Sequence, residues 1–294
     1  MVENKILQKQ ALKNNAGLKH RLLSAFILGP LLLLLVKGGI WTFLLLIVGI
    51  SARSAWEWCH ICTNAGYKPN RLLSILLATG LIPCLNWVGP QVIYTYTIVA
   101  TILFFSFSLL RGTKNYLPNT LIGIGAMLYA GLLGSSPLLL INQVGEIMVN
   151  LNGLRPYNSY NLVIALFFCI WFTDAFAYFC GRKWGNKKLA PTISPNKTIV
   201  GFFGGIIGSL LPLSFYPHLP ELAPWILCGM FIVVGLGGQI GDLVESAIKR
   251  DMGNIKDAPP IIPGHGGVLD RFDSYFFAFP IAFVYLKIIA TINF

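Results

Sequence analysis

The sequence predicts an all-α polytopic membrane protein of about nine transmembrane helices, N-terminus cytoplasmic and C-terminus outside. Three observations carry that expectation. Only 11% of residues are charged against 55% hydrophobic, whereas a soluble domain carries about 25% charged residues. The apolar residues come in runs near the ~20 residues a helix needs to cross ~30 Å of hydrocarbon. None of the runs alternates polar with apolar residues, as the strands of a membrane barrel do. This composition excludes an ordinary soluble enzyme, a disordered chain and a disulfide scaffold.

Residues 1–21 form a polar arm with Lys5, Lys9, Lys13, Lys19 and Arg21. The apolar stretch that follows resembles a signal-peptide core, but no small-x-small site follows it, so it is expected to remain as a first span. Spans are expected over 20–36, 39–58, 72–89, 91–110, 118–141, 161–180, 199–217, 222–246 and 272–292, the eighth leaving the hydrocarbon near its end. Lys37-Gly38-Gly39 interrupts the first apolar stretch. Splitting there gives nine spans and merging gives eight.

The basic residues decide between them. With nine spans, 19 of the 22 Lys and Arg fall on one side, leaving Lys37, Arg155 and Lys287 at or near the other. A merged span would set the basic arm opposite the later basic loops, against the positive-inside rule. The net charge of +11 is therefore read as topology, with no nucleic-acid partner expected. Trp41, Trp87, Tyr216 and Trp225 near the outer ends fit an interfacial aromatic belt. Three regions result: the arm 1–21, N-terminal transmembrane helices over 22–160, and a C-terminal transmembrane region over 161–294 whose two cytoplasmic loops hold the chemistry. The six cysteines sit mostly in apolar runs, and Cys59 and Cys62, spaced C-x-x-C without a second pair, read as buried thiols.

Asp174 lies inside the sixth span. A carboxylate at membrane depth costs roughly 2.5–3.5 kcal/mol on insertion scales, so it normally faces a polar cavity or a helix partner. The basic loop 181–198 ends in Ile193-Ser194-Pro195-Asn196-Lys197-Thr198. Its hydroxyls, backbone N–H groups and Lys suit a phosphate, or lipid headgroups. At about 100° per residue, Asp242, Glu245, Ser246, Lys249 and Arg250 share an arc of about 140° at the end of the eighth span. Lys256-Asp257 follows, then His265-Gly266-Gly267 and, at i,i+3, Asp270 and Asp273 beside Arg271. Carboxylates crowded together repel unless a cation joins them. Oxygen-only ligands point to Mg²⁺, completed by substrate phosphates that Lys and Arg also hold. No P-loop or dinucleotide-binding glycine pattern is present.

Ser246-x-x-Lys249-Arg250, Lys256-Asp257 and His265-Gly266-Gly267-x-x-Asp270-Arg271-x-Asp273 together resemble the signature of the phosphatidate cytidylyltransferase family. Asp174-x-x-Ala177-Tyr178-x-x-Gly181 and Ile193-Ser194-Pro195-x-Lys197-Thr198 resemble it too. Where that family has Glu two residues after this Thr, the chain has Val200. The resemblance implies transfer of CMP from CTP to phosphatidic acid in phospholipid biosynthesis, giving CDP-diacylglycerol and pyrophosphate. It implies Asp242, Asp270 and Asp273 as Mg²⁺ ligands. Ser246, Lys249, Arg250, Lys256, Asp257 and Arg271 would be catalytic, the Lys and Arg holding phosphates and the leaving pyrophosphate and Ser246 donating to a phosphate oxygen. Ser194, Lys197, Thr198, His265, Gly266 and Gly267 would bind substrate, with Asp174 and Glu245 as accessory groups. The expected setting is a multi-pass protein of a plasma or inner membrane with a cytoplasmic active site, and a homodimer is compatible with it. A CTP-dependent lipid-alcohol kinase shares these ingredients; an anionic-lipid transporter would place charge near the midplane.

Overall fold

A computed structural model of the chain describes residues 28–143, 159–215, 222–255, 257–259 and 266–292. Its helices, in chain order, are α1 (Leu28–Lys37), α2 (Ile40–Asn64), α3 (Arg71–Val88), α4 (Val92–Leu109), α5 (Tyr116–Gln143), α6 (Ser159–Trp184), α7 (Ile199–Ser209), α8 (Pro224–Asp251) and α9 (Leu269–Ile292). Seven of them, all but α1 and α7, are long and apolar enough to cross a membrane by length and composition. The chain is thus a helical, polytopic membrane protein. The basic arm, most of the loop expected over 145–160 and Tyr216 lie outside the described residues.

The first apolar stretch is broken where the sequence suggested. α1 ends at Lys37, and Gly39 takes φ +100°, a left-handed backbone region that favours glycine. Thr42 Oγ1 then donates to the Leu35 carbonyl at 2.7 Å and the Gly39 carbonyl at 3.0 Å, bracing the turn. Trp41, Trp87 and Trp225 are exposed, as an interfacial belt requires.

In lipid, apolar side chains gain little by leaving their surroundings for one another, so helices associate through close backbone approach and polar contacts. Such approach needs small residues, and α7 supplies Gly201, Gly204, Gly205 and Gly208, all buried at small-xxx-small spacing. A Cβ on Gly208 would stand 2.7 Å from the Phe172 carbonyl oxygen, so α7 lies directly on α6. Gly235 of α8 likewise packs on Ser209 and Thr173, and a Cβ on Gly241 would come within 2.6 Å of the Asp273 carbonyl oxygen. Gly241→Ala is therefore expected to push α8 from α9 and separate Asp242 from Asp273. Turnover should fall about tenfold or more, because catalytic geometry tolerates little displacement. Activity equal to wild type in a variant of unchanged melting temperature would contradict it.

α5 is the central helix, with 67% of its apolar window buried against 17% for the peripheral α4. Phe167, Tyr275 and Phe279 pack between α6 and α9, with Phe279 centroids 5.0 Å from Phe167 and 4.9 Å from Tyr275. The Tyr275 hydroxyl donates to the Gly134 carbonyl at 2.5 Å and ties α9 to α5. Within α5, Met127–Leu133 is π-helical, a local form that is rare and frequent at functional sites.

One segment departs from the expected all-helical pattern. The basic loop carries an antiparallel hairpin, β1 (Lys188–Ala190) with β2 (Ser194–Thr198), pairing Lys188 with Thr198 and Ala190 with Ser194. Ile193 N–H donates to the Ala190 carbonyl at 3.2 Å to close the turn. At the end of β2 the Thr198 side chain accepts from Gly201 N–H at 3.1 Å and caps α7, the local role for which Thr is suited. The hairpin thereby holds Lys197 at the end of the bundle where α2, α6 and α8 finish and α7 and α9 begin.

Candidate functional site

The polar face expected on α8 is present and splits into two ionic groups. Toward the hairpin, Lys197 Nζ sits 2.6 Å from Asp242 Oδ2, and Ser246 Oγ donates to Asp242 Oδ1 at 3.4 Å. Toward α9, Lys249 Nζ lies 2.6 Å from Glu245 Oε2 and 2.7 Å from Asp270 Oδ1. This second group is the more deeply placed, with side-chain exposures of 9% for Lys249, 2% for Glu245 and 12% for Asp270. Asp270 Oδ2 also accepts from Ala258 N–H at 2.8 Å and Gly267 N–H at 2.9 Å. One carboxylate thus organises the segment before α9 while balancing a buried ammonium. Gly266 adopts φ +69° there, and a Cβ on it would stand 2.6 Å from Asp270 Oδ2.

Asp273 faces a different neighbourhood. It lies at a turn within α9 and accepts from Ser274 N–H at 2.6 Å, and its carboxylate feels the negative charges of Asp242 and Asp174. Asp174, on α6, lies close enough to Asp242 and Lys197 to feel both charges. Lys197 is the cation that faces both Asp242 and Asp174. Among the described residues, no three of His, Cys, Asp or Glu are gathered closely enough to hold a metal ion by themselves.

Asp242, Lys249, Asp257, Gly266, Asp270, Arg271 and Asp273 line one cavity of about 770 Å³. Six of the nine charged residues that the sequence singled out on α8, α9 and the segment between them therefore converge on it. Of the other described site candidates, Asp174, Ser194, Lys197, Thr198, Glu245, Ser246, Arg250 and Gly267 are not among its lining residues. Arg250 instead donates to the Ile193 carbonyl at 3.3 Å and the Ile255 carbonyl at 3.0 Å, holding the hairpin to the end of α8. Val200 is exposed at the start of α7. Lys256 and His265 lie outside the described residues.

The sequence reading missed α2. Its Glu57 is fully buried, receives Arg53 Nε at 2.6 Å, and accepts from Val268 N–H at 3.0 Å and Leu269 N–H at 2.7 Å. Those N–H groups belong to the start of α9, where helix donors lack partners and a carboxylate is favoured. Arg53 also donates to the Pro259 carbonyl at 3.0 Å, and a Cβ on Gly267 would collide with the Glu57 carboxylate. The signal was available: an acid inside an apolar span, four residues after an Arg, satisfies the same cost argument that flagged Asp174.

A helical membrane bundle that gathers carboxylates, cations and a glycine turn around a polar cavity at one end defines a class, a polytopic membrane protein with an ionic site at one end of its bundle. The chain belongs to the Cytidylyltransferase family, whose model matches residues 19–289. It is 48% identical over 121 residues to a phosphatidate cytidylyltransferase of Staphylococcus aureus strain COL, 40% of this chain and 46% of that protein. A phosphatidate cytidylyltransferase of Staphylococcus epidermidis strain ATCC 12228 is 50% identical over 121 residues, with the same coverage. One of Staphylococcus saprophyticus is 48% identical over a stretch of equal length. The chain thus spans just under half the length of the curated relatives it matches.

Proposed function

We propose that the protein transfers CMP from CTP to phosphatidic acid, releasing pyrophosphate and leaving CDP-diacylglycerol in the membrane. The observation that carries this is the convergence of Asp242, Lys249, Asp270, Arg271 and Asp273 on one cavity at the end of a membrane bundle, in a chain of the Cytidylyltransferase family. A phosphate monoester has a second pKa near ~6 and is mostly dianionic at neutral pH. Its oxygen attacks the α-phosphorus of CTP, a new P–O bond forms, the bond to the β-phosphate oxygen breaks, and pyrophosphate leaves with that electron pair. No strong base is needed. The work is neutralising charge and aligning the two substrates in line.

The residues fit a Mg²⁺ ion. Asp174, Asp242 and Asp273 offer oxygen ligands alone, and they repel one another with Lys197 as their facing cation. Mg²⁺ takes one or two carboxylates plus substrate phosphates, so Asp242 and Asp273 would hold it. The ion would supply charge neutralisation at the transferring phosphoryl group. Asp270 would serve mainly by fixing the glycine turn, since Lys249 and two backbone N–H groups already occupy it. Arg271 and Lys197 then face the phosphates, with Lys249 as a balanced internal charge. Tyr129, buried on the π-helical segment and without a hydrogen-bond partner among the described residues, is a further donor close to these acids.

The same reading counts the shorter α1 and α7 with the seven long helices as nine crossings, the site on the cytoplasmic side and the C-terminus opposite, supported by the placement of basic residues. Phosphatidic acid would keep its acyl chains in the bilayer while CTP enters from the cytoplasm. An assay in detergent with CTP labelled at the γ-phosphorus, phosphatidic acid and Mg²⁺ tests it. Label is expected in pyrophosphate, with CDP-diacylglycerol formed and Asp273→Asn slower by roughly 100-fold. Label in lipid would mean a kinase. No CDP-diacylglycerol from the wild type would end the proposal.

A further inference from the structure

The cavity has two chemically distinct walls. Its charged lining residues come from α8, α9 and the segment between them. The wall from α2 carries none of these charged types: it is His60, Ile61 and Asn64. A nucleoside triphosphate has the same division, a charged phosphate chain and a flat ring whose edge donates and accepts hydrogen bonds.

We propose that this α2 wall receives the pyrimidine ring of the nucleotide, the ring face on His60 and the ring edge on Asn64. The proposal rests on the CTP-dependent function argued above. Three observations support it. His60 and Asn64 are i,i+4 and so share a helix face, and Glu57, three residues before His60, locks that face to the start of α9 through its bonds to Val268 and Leu269. The His60 ring is held flat, stacked on Trp56 with centroids 4.9 Å apart and planes 13° from parallel, while Arg53 sits 4.3 Å over the same Trp56 ring. A half-buried imidazole held this way presents a ready stacking surface. Asn64 is exposed at the rim, with a donor and an acceptor for an edge that has both. The cavity, about 770 Å³, lies within the usual range for small-ligand sites, roughly 300–1,000 Å³.

Steady-state kinetics of the full-length protein separate base from phosphate contacts. His60→Ala and Asn64→Ala are expected to raise the KM for CTP about tenfold with little change in kcat, as loss of one stacking or edge contact does. His60→Phe should recover most of the loss, because a flat ring is restored. Inhibition by inorganic tripolyphosphate, which has no base, should match wild type in all three. An unchanged KM for CTP in both alanine variants would overturn the proposal. So would tripolyphosphate inhibition that weakens in parallel, or a rise confined to the KM for phosphatidic acid, which would assign this wall to phosphate or lipid. The control is wild-type turnover: its absence would refute the CTP-dependent function itself, whereas an active wild type with unaffected variants refutes the α2 wall alone.

Discussion

Lys249→Met is expected to abolish activity and to cost about 3–5 kcal/mol of stability, the penalty typical of removing one partner from a buried ion pair. Lys249 is the shared cation of Glu245 and Asp270, at 2.6 and 2.7 Å. Without it two carboxylates would remain side by side in a region from which most water is excluded. Asp270 would then repel Glu245 while still bound to Ala258 and Gly267 N–H, so the strain would pass into the segment that shapes the cavity. A methionine roughly fills the space of the lysine stem, which isolates the loss of charge from the loss of packing. Thermal unfolding in detergent should show the drop. Adding Glu245→Gln to Lys249→Met removes one orphaned charge and should return part of the stability without returning activity. A Lys249→Met protein as stable as wild type would show that the ionic group is not a unit.

The pairing of Lys249 also marks where sequence reasoning stops. Helical periodicity placed Asp242, Glu245, Ser246 and Lys249 on one face of α8, and the structure agrees, because that geometry is local. It left open which charge meets which. Lys249 keeps its place on the cavity wall, but its pairing with Asp270, 21 residues later in the chain, is a non-local contact that helical periodicity does not reveal. Apolar runs were legible because lipid tolerates no unpaired backbone and dictates helices of spanning length. The hairpin over Lys188–Thr198 was not, because two short strands of mixed composition carry no strong period. The π-helical segment of α5 left no compositional mark either. The sequence shows Glu57 as an acid in an apolar span but not what it holds, because its partners lie 211 and 212 residues away.

Glu57 makes the second large prediction. Glu57→Ala is expected to destabilise the protein by about 2–3 kcal/mol, the range for removing a charged acceptor from buried N–H donors, and to lower turnover about tenfold or more. The reasoning is geometric. Val268 and Leu269 N–H groups sit at the start of α9, directly before Asp270 and about one turn before Asp273. With Glu57 gone they have no carboxylate to dock on, and the first turn of α9 frays. Asp270 and Asp273 then lose the fixed positions that the cavity depends on. Glu57→Gln should fall between, because one amide oxygen still accepts while the amide NH₂ opposes a backbone donor. Gly267→Ala should reproduce the defect without removing any charge, since its new methyl would collide with the Glu57 carboxylate. Amide hydrogen exchange at Val268 and Leu269 reads the effect directly, and faster exchange is expected in all three variants. Protection at those two amides equal to wild type in Glu57→Ala would show that the start of α9 is held by other contacts and that α2 does not position the site.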